Sequence, residues 1–249
     1  MRGHNKQDFS TLNYTMISLL GSKVNILIVG GGEAALIKCR TFSKEGSNIT
    51  VLSKEFCLGF IDFKNIYNVK LIKAEYDESY VDNNHIVIIA TDNKDINEGI
   101  KAYCDKKYKL YLHCGDYKQG LFVTPVQKNT PNMKFALHTK RSSPKTALFM
   151  SKIIEGKLCE YEGFIDYTCS IRNMVKKMGL KKEIMNFVCS EDFYFFYTVG
   201  AQNVILEMFY GYEITPAKMM NICKDDEYLQ RGWTLAKVMN SNACDLKEE

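Results

Sequence analysis

Short apolar runs alternate with segments of helical spacing through the first half of the chain. Val24 to Val29 (VNILIV) has strand length and stops at Gly30-Gly31-Gly32. Ala34 to Phe42 then places Ala35, Cys39 and Phe42 on one side of a helix, which Gly46 closes. Ile49 to Leu52 and Val69 to Ile72 read as two further strands. His85 to Ala90 (HIVIIA) is an almost wholly apolar run, as strands covered on both faces prefer. A helix through Ile96 to Cys104 and a strand at Lys109 to Cys114 (KLYLHC) continue the rhythm. Strands alternating with helices in this way predict an α/β fold: a Rossmann-like, doubly wound parallel sheet.

The pattern changes after Pro125. Lys134 to Thr139 (KFALHT) offers one more strand, and Ser143-Pro144 reads as a helix start running to about Ile154. From Gly163 onward most segments look helical, including one beginning at Thr215-Pro216 and running through Ala217 to Cys223. The aromatic cluster Phe193 to Tyr197 reads as core or as a contact between copies. No arginine-rich groove accompanies it, so a base-stacking platform is the weaker reading.

Composition narrows the function classes. Hydrophobic residues make up 46% and charged residues 25% of the 249 residues, ordinary for a globular chain and wrong for a disordered or fibrous one. A net charge of +4 is too small to imply nucleic acid. Apolar runs fall far short of the ~20 residues of a membrane span, and Met16 to Leu20 is too short for a secretory core of ~7–15 residues. A cytoplasmic protein without nucleic-acid or membrane partners is expected. None of the nine cysteines forms a C-x-x-C pair, which predicts buried thiols in a reducing compartment and no metal site.

Gly30-Gly31-Gly32-Glu33-Ala34-Ala35 fits G-x-G-x-x-A, directly after a strand and opening a helix. Gly30 permits the tight turn, Gly32 lets backbone approach a pyrophosphate, and Ala35 lets helix pack on strand. The N–H groups at the start of that helix, at Glu33 and Ala34, complete a phosphate cradle. Dinucleotide binding is predicted. The second strand ends in Ser53-Lys54, with Glu55 one step further, instead of the usual carboxylate for the ribose 2′-hydroxyl. Ser53 offers a hydroxyl for that contact and Lys54 tolerates a 2′-phosphate, so the residues favour NAD over NADP only modestly.

From Tyr14 to Leu158 the chain resembles the precorrin-2 dehydrogenase family, the NAD-binding part of siroheme synthase. Tyr14 to Val24 (YTMISLLGSKV) is similar to that family's Y-P-x-F-x-x-L-x-G-K-x-V lead-in, and Gly30 to Lys38 (GGGEAALIK) to its G-G-G-x-V-A-x-x-K. Ile49 to Phe56 (ITVLSKEF) resembles V-T-V-V-A-P-x-F, which also lacks the acidic residue. Ala90-Thr91-Asp92 with Asn97 matches A-A-T-D-x-x-x-x-N from its second alanine on. His113-Cys114-Gly115-Asp116 stands where the family has N-x-x-D, followed by Phe122 and Pro125 of its F-x-x-P. Thr139-Lys140-Arg141-Ser142-Ser143-Pro144 occupies the S-G-G-x-S-P loop, with both glycines and the first serine replaced. Beyond Leu180 no close match is found.

The resemblance implies oxidation of precorrin-2 to sirohydrochlorin with NAD as cofactor, and admits Fe2+ as a substrate for a chelatase step. It implies residues 1–125 as the NAD-binding domain and 126–160 as a dimerisation segment, and the helical segments past Gly163 make 161–249 a helical C-terminal domain. Gly30, Gly31, Gly32, Glu33, Ala34, Ser53, Lys54, Thr91 and Asp92 would bind the cofactor. Asp116 and Thr139 would be catalytic, with Asp116 taking the proton released as hydride leaves. The tetrapyrrole is a polycarboxylate, and Lys118, Lys140 and Arg141, with Lys145 nearby, would pair with its arms. Read without the family, Asp116 is a turn cap, the basic residues are solvated, and His113 and His138 are hydrogen-bonded structural residues. A homodimer is expected, because the Ser143-Pro144 helix carries Ala147, Leu148, Phe149, Met150, Ile153 and Ile154, more apolar surface than one face hides. The competing reading is a non-catalytic NAD(H)-binding sensor or regulatory module.

Overall fold

Asn25–Val29 (β1) lies at the centre of a five-stranded sheet in the computed structural model, which describes residues 14–63, 66, 68–140 and 143–211. Asn48–Ser53 (β2) and Val69–Lys73 (β3) extend it on one side. Ile86–Ile89 (β4) and Leu110–His113 (β5) extend it on the other, giving the order β3-β2-β1-β4-β5. Every pairing is parallel, with Ile28 opposite Val51 on one flank and Ile88 on the other.

The two-residue period of a strand explains why β1 and β4 are apolar throughout. Ile26, Ile28, Ile86 and Ile88 join Ala35, Leu36 and Cys39 of helix α1 (Glu33–Ser43) in one core layer, with Phe60 and Phe63. Leu27, Val29, Val87 and Ile89 point the opposite way. They meet Val81 of the short helix α2 (Ser79–Asp82) and Ile100 and Cys104 of α3 (Lys94–Lys106). The sheet is therefore covered on both faces, the doubly wound arrangement expected from the alternation.

The helices run further than the apolar spacing suggests. α3 starts at Lys94 because Asn93 caps it, its side chain accepting from Ile96 N at 3.1 Å. The turn after α1 closes at Gly46, whose φ of +78° favours glycine.

The chain divides into two compact units, the first ending at Pro125 and the second starting at Val126. The second opens with an antiparallel hairpin, Val126–Asn129 (β6) and Lys134–Leu137 (β7), apart from the large sheet. The segment read as one more strand is thus half of a hairpin. Thr130 N donates to Met133 O at 2.8 Å, and a turn this short leaves only antiparallel pairing. β6 (VQKN) holds one apolar residue and was invisible as a strand for that reason.

Helix α4 (Pro144–Cys159) follows, with Ala147 and Ser151 buried one turn apart. It outruns the expected stop near Ile154. Four helices then build a second core: α5 (Glu162–Met174), α6 (Lys181–Val188), α7 (Glu191–Thr198) and α8 (Gln202–Tyr210). Ile171, Val175, Ile184, Val188, Phe193 and Leu206 fill it. Phe193 of the aromatic cluster is a core residue, while Phe195 is exposed. The helix expected at 217–223 lies outside the described residues.

The thiol expectation needs correcting. Cys39 and Cys104 are buried, and burial pushes both up to about 12, but Cys159, Cys169 and Cys189 are exposed. These three lie on amphipathic helices or just past a helix end, where apolar spacing does not tell which face turns outward. No helix among the described residues is long and apolar enough to cross a membrane.

Candidate cofactor site

The chain leaves β1 on one side of the sheet and β4 on the other, so the C-terminal ends of these neighbours frame a crevice at the switch in strand order. Two loops meet there: Gly30-Gly31-Gly32 after β1, and Ala90-Thr91 after β4. Ala90 N donates to Val29 O at 2.8 Å, and Gly30 N donates to Leu52 O at 2.9 Å, which ties the turn to both neighbouring strands.

The three glycines are required by different things. Gly30 has φ +125°, and a Cβ there would lie 2.1 Å from the Ala90 carbonyl oxygen. A Cβ on Gly31 would lie 2.0 Å from the Glu55 carbonyl oxygen and 2.8 Å from Ser53 Oγ. The protein's own backbone therefore excludes side chains at these two buried positions. A Cβ on Gly32 would meet nothing within 4 Å. Gly32, Glu33 and Ala34 are exposed at the start of α1, where the first N–H groups of a helix lack intrahelical acceptors. Open space beside the first N–H groups of a helix, at its positive end, suits an anion such as a phosphate.

The neighbouring loops are braced. Asn97, buried on α3, holds the turn after β4 at two atoms. Its Nδ2 donates to Thr91 O at 3.0 Å, and its Oδ1 lies 2.6 Å from Thr91 Oγ1, which donates to it. These two hydrogen bonds account for the six-residue spacing of the Thr91 and Asn97 motif, and Asp92, next in the turn, is exposed. Beside β2, Ser53 Oγ donates to Glu55 O at 2.7 Å, leaving its lone pairs for a ribose donor. Lys54 Nζ lies 2.8 Å from the Glu75 carboxylate.

At the end of β5, His113 Nδ1 accepts from Gly115 N at 3.1 Å and Asp116 N at 2.9 Å. The imidazole does here what an asparagine side-chain oxygen would do, which accounts for a histidine in the first position of the N-x-x-D pattern. Asp116 caps the short 3-10 turn Tyr117–Gln119: Oδ1 accepts from Lys118 N and Oδ2 from Gln119 Nε2, both at 3.1 Å. The Gln119 amide and then the Lys118 N–H hold its carboxyl below the usual carboxylate range. Lys118 is exposed.

Lys38, eight positions past Gly30, reaches back to this edge. Its Nζ donates to Thr124 Oγ1 at 2.5 Å, and burial pulls its amine below the usual lysine value while the Cys114 thiol acts the other way. Sequence reasoning quoted this lysine without giving it a role. Its signal in the sequence was its place as the closing lysine of the G-G-G-x-V-A-x-x-K pattern, eight positions past Gly30.

The remaining predicted residues lie in the second unit. Thr139 Oγ1 accepts from Ser143 N at 2.7 Å, bridging the loop that precedes α4. Ser143 is the N-cap residue, but its hydroxyl pairs with Thr146 Oγ1 at 2.7 Å and not with a helix N–H. Lys140 and Lys145 are exposed, and Arg141 lies outside the described residues. Among the described residues no group of three or more His, Cys, Asp and Glu side chains is placed to hold a metal.

Comparison with known proteins agrees with this geometry. A family model described as "Putative NAD(P)-binding" matches residues 17–126. The siroheme synthase of Enterobacter sp. (strain 638) is 27% identical over 152 residues, covering 60% of this chain and 33% of that protein. The siroheme synthase of Pseudoalteromonas translucida (strain TAC 125) is 35% identical over 138 residues, covering 55% and 29%. The chain thus spans about a third of the length of these relatives. A solved structure titled "SirC, precorrin-2 dehydrogenase" shares the fold with a TM-score of 0.62 at 18% identity, covering 78% of this chain and 98% of that one.

Proposed function

We propose, from the match of residues 17–126 to a family model for putative NAD(P)-binding and from the likeness to siroheme synthases, that the chain oxidises precorrin-2 to sirohydrochlorin with NAD+. The observation that carries the reading is the cradle over Gly32, where the chain leaves room that none of its own atoms claims. When bound, NAD+ accepts the hydride of the two hydrogens that precorrin-2 loses. The second hydrogen departs as a proton, and Asp116 is its proposed acceptor. Its carboxylate is ionised at neutral pH, and each oxygen that accepts one hydrogen bond keeps a lone pair free. A carboxyl held low is a weak base, so Asp116 supplies a proton exit more than a driving force.

Gly30 to Ala34 would hold the pyrophosphate, Ser53 the adenosine ribose, and the Thr91-Asp92 turn the crevice wall. Lys118, Lys140 and Arg141 are proposed to pair with the substrate's carboxylate arms, and Thr139 to be a second catalytic residue. Insertion of Fe2+ into sirohydrochlorin is proposed as a second step on the strength of the siroheme synthase relatives. A homodimer is proposed through α4, whose Leu148, Phe149, Met150 and Ile153 are exposed. Light scattering at micromolar concentration would give a single-chain mass if that is wrong.

Incubation with precorrin-2 and NAD+ should produce sirohydrochlorin absorbance together with NADH. The sensor reading draws on the cap role of Asp116 and the substituted loop at Thr139-Lys140. NAD+ binding without turnover would decide for it.

A further inference from the structure

The acidic group that Rossmann domains place at the end of their second strand is missing from β2, yet a carboxylate stands close by in space. β2 and β3 run side by side to their ends, Ser53 opposite Lys73, and Ala74 N donates to Ser53 O at 3.2 Å. This pairing brings Glu75, just past β3, within 2.8 Å of Lys54, just past β2. The two side chains are 68% and 81% exposed, so the pair stabilises the fold little and both charges face solvent. Ser53, which adjoins Lys54, also packs against Gly31, so the ion pair borders the strand end where a dinucleotide's adenosine ribose sits.

We propose that Glu75 sets the choice between NAD and NADP by neutralising Lys54. An unpaired lysine at this position would attract a 2′-phosphate. The Lys54–Glu75 pair carries no net charge, and its carboxylate repels a phosphate brought beside it. The acidic function usually carried by the second strand is thus supplied from the third, and Lys54 is the group it restrains. The inference rests on the dinucleotide reading of the glycine turn.

Calorimetric titration of NAD+ and NADP+ into the full chain tests it, using the parent, Glu75→Gln, Lys54→Ala and the double variant. The parent should prefer NAD+. Glu75→Gln should tighten NADP+ binding about tenfold while NAD+ affinity changes little, and the gain should shrink as salt is raised. Adding Lys54→Ala should abolish the gain. Equal NADP+ affinity in parent and Glu75→Gln, with NAD+ still bound, would overturn the proposal and leave the dinucleotide reading standing. Binding of neither nucleotide to the parent would overturn both.

Discussion

Alanine at Gly30 and alanine at Gly32 should fail in opposite ways, although the two glycines sit two residues apart in one motif. At Gly30 a side chain must adopt φ +125°, which costs roughly 1–3 kcal/mol for a non-glycine residue. Its Cβ would also stand 2.1 Å from the Ala90 carbonyl oxygen, so the ends of β1 and β4 must part where Ala90 N donates to Val29 O. Together these should cost about 3 kcal/mol or more. At roughly 2–4 °C per kcal/mol for a chain of this size, the melting temperature should fall by about 6–12 °C. At Gly32 the backbone is extended, φ −84° and ψ −173°, which any residue adopts, and the added Cβ meets nothing. Alanine loses the mild preference for glycine at a helix N-cap, roughly 0.5–1 kcal/mol. It gains about 0.4–1 kcal/mol from a stiffer unfolded chain. The melting temperature should therefore stay within about 2 °C. Binding should respond the other way round: Gly32→Ala puts a methyl group where the pyrophosphate must approach, and NAD+ should bind at least about tenfold more weakly by calorimetry. Gly32→Asp, which adds a negative charge at the same place, should lose binding altogether. Parent-like NAD+ binding by Gly32→Ala, or melting as early as Gly30→Ala, would overturn the cradle assignment at Gly32.

Three further outcomes are expected. Asp116→Asn should keep NAD+ affinity and lower turnover with precorrin-2 by about 10²–10⁴-fold; a variant that melts earlier yet turns over at the parent rate would leave Asp116 a cap only. Asn97→Leu should remove both bonds that hold Thr91, leaving its hydroxyl only the longer contacts to Asn93, at about 1–3 kcal/mol in chemical denaturation, and weaken NAD+ binding through the loosened turn. Lys38→Met should change the pH dependence of stability. Burial lowers the folded-state amine below its ordinary 10.5, so the unfolded chain binds more protons and the parent gains stability, relative to the variant, as pH rises through the folded value toward 10.5. Melting curves of both proteins across alkaline pH should show that difference, and its absence would mean the amine is solvated.

Local periodicity carried much of this protein. The apolar runs at β1 and β4 must be covered on both faces, because each strand turns successive residues to opposite sides, and that alone implied helices above and below the sheet. The glycine turn was legible for the same local reason, as a strand ending directly in a helix start. What periodicity does not encode is which distant atoms meet once strand register is set. Gly30 and Gly31 are glycine because the Ala90 and Glu55 carbonyls close on them, whereas Gly32 is glycine with no neighbour to require it. Lys54 meets Glu75 only because β2 and β3 end level, and Lys38 meets Thr124 across 86 residues of sequence. His113 looked like a departure from the family pattern until its Nδ1 was seen accepting two backbone N–H groups. β6 became a strand only by pairing with β7, since a single apolar residue in four leaves no pattern to read. Hydrophobic burial is written along the chain with a period of two or 3.6 residues, but contacts between element ends depend on register and turn geometry, which the folded chain alone decides.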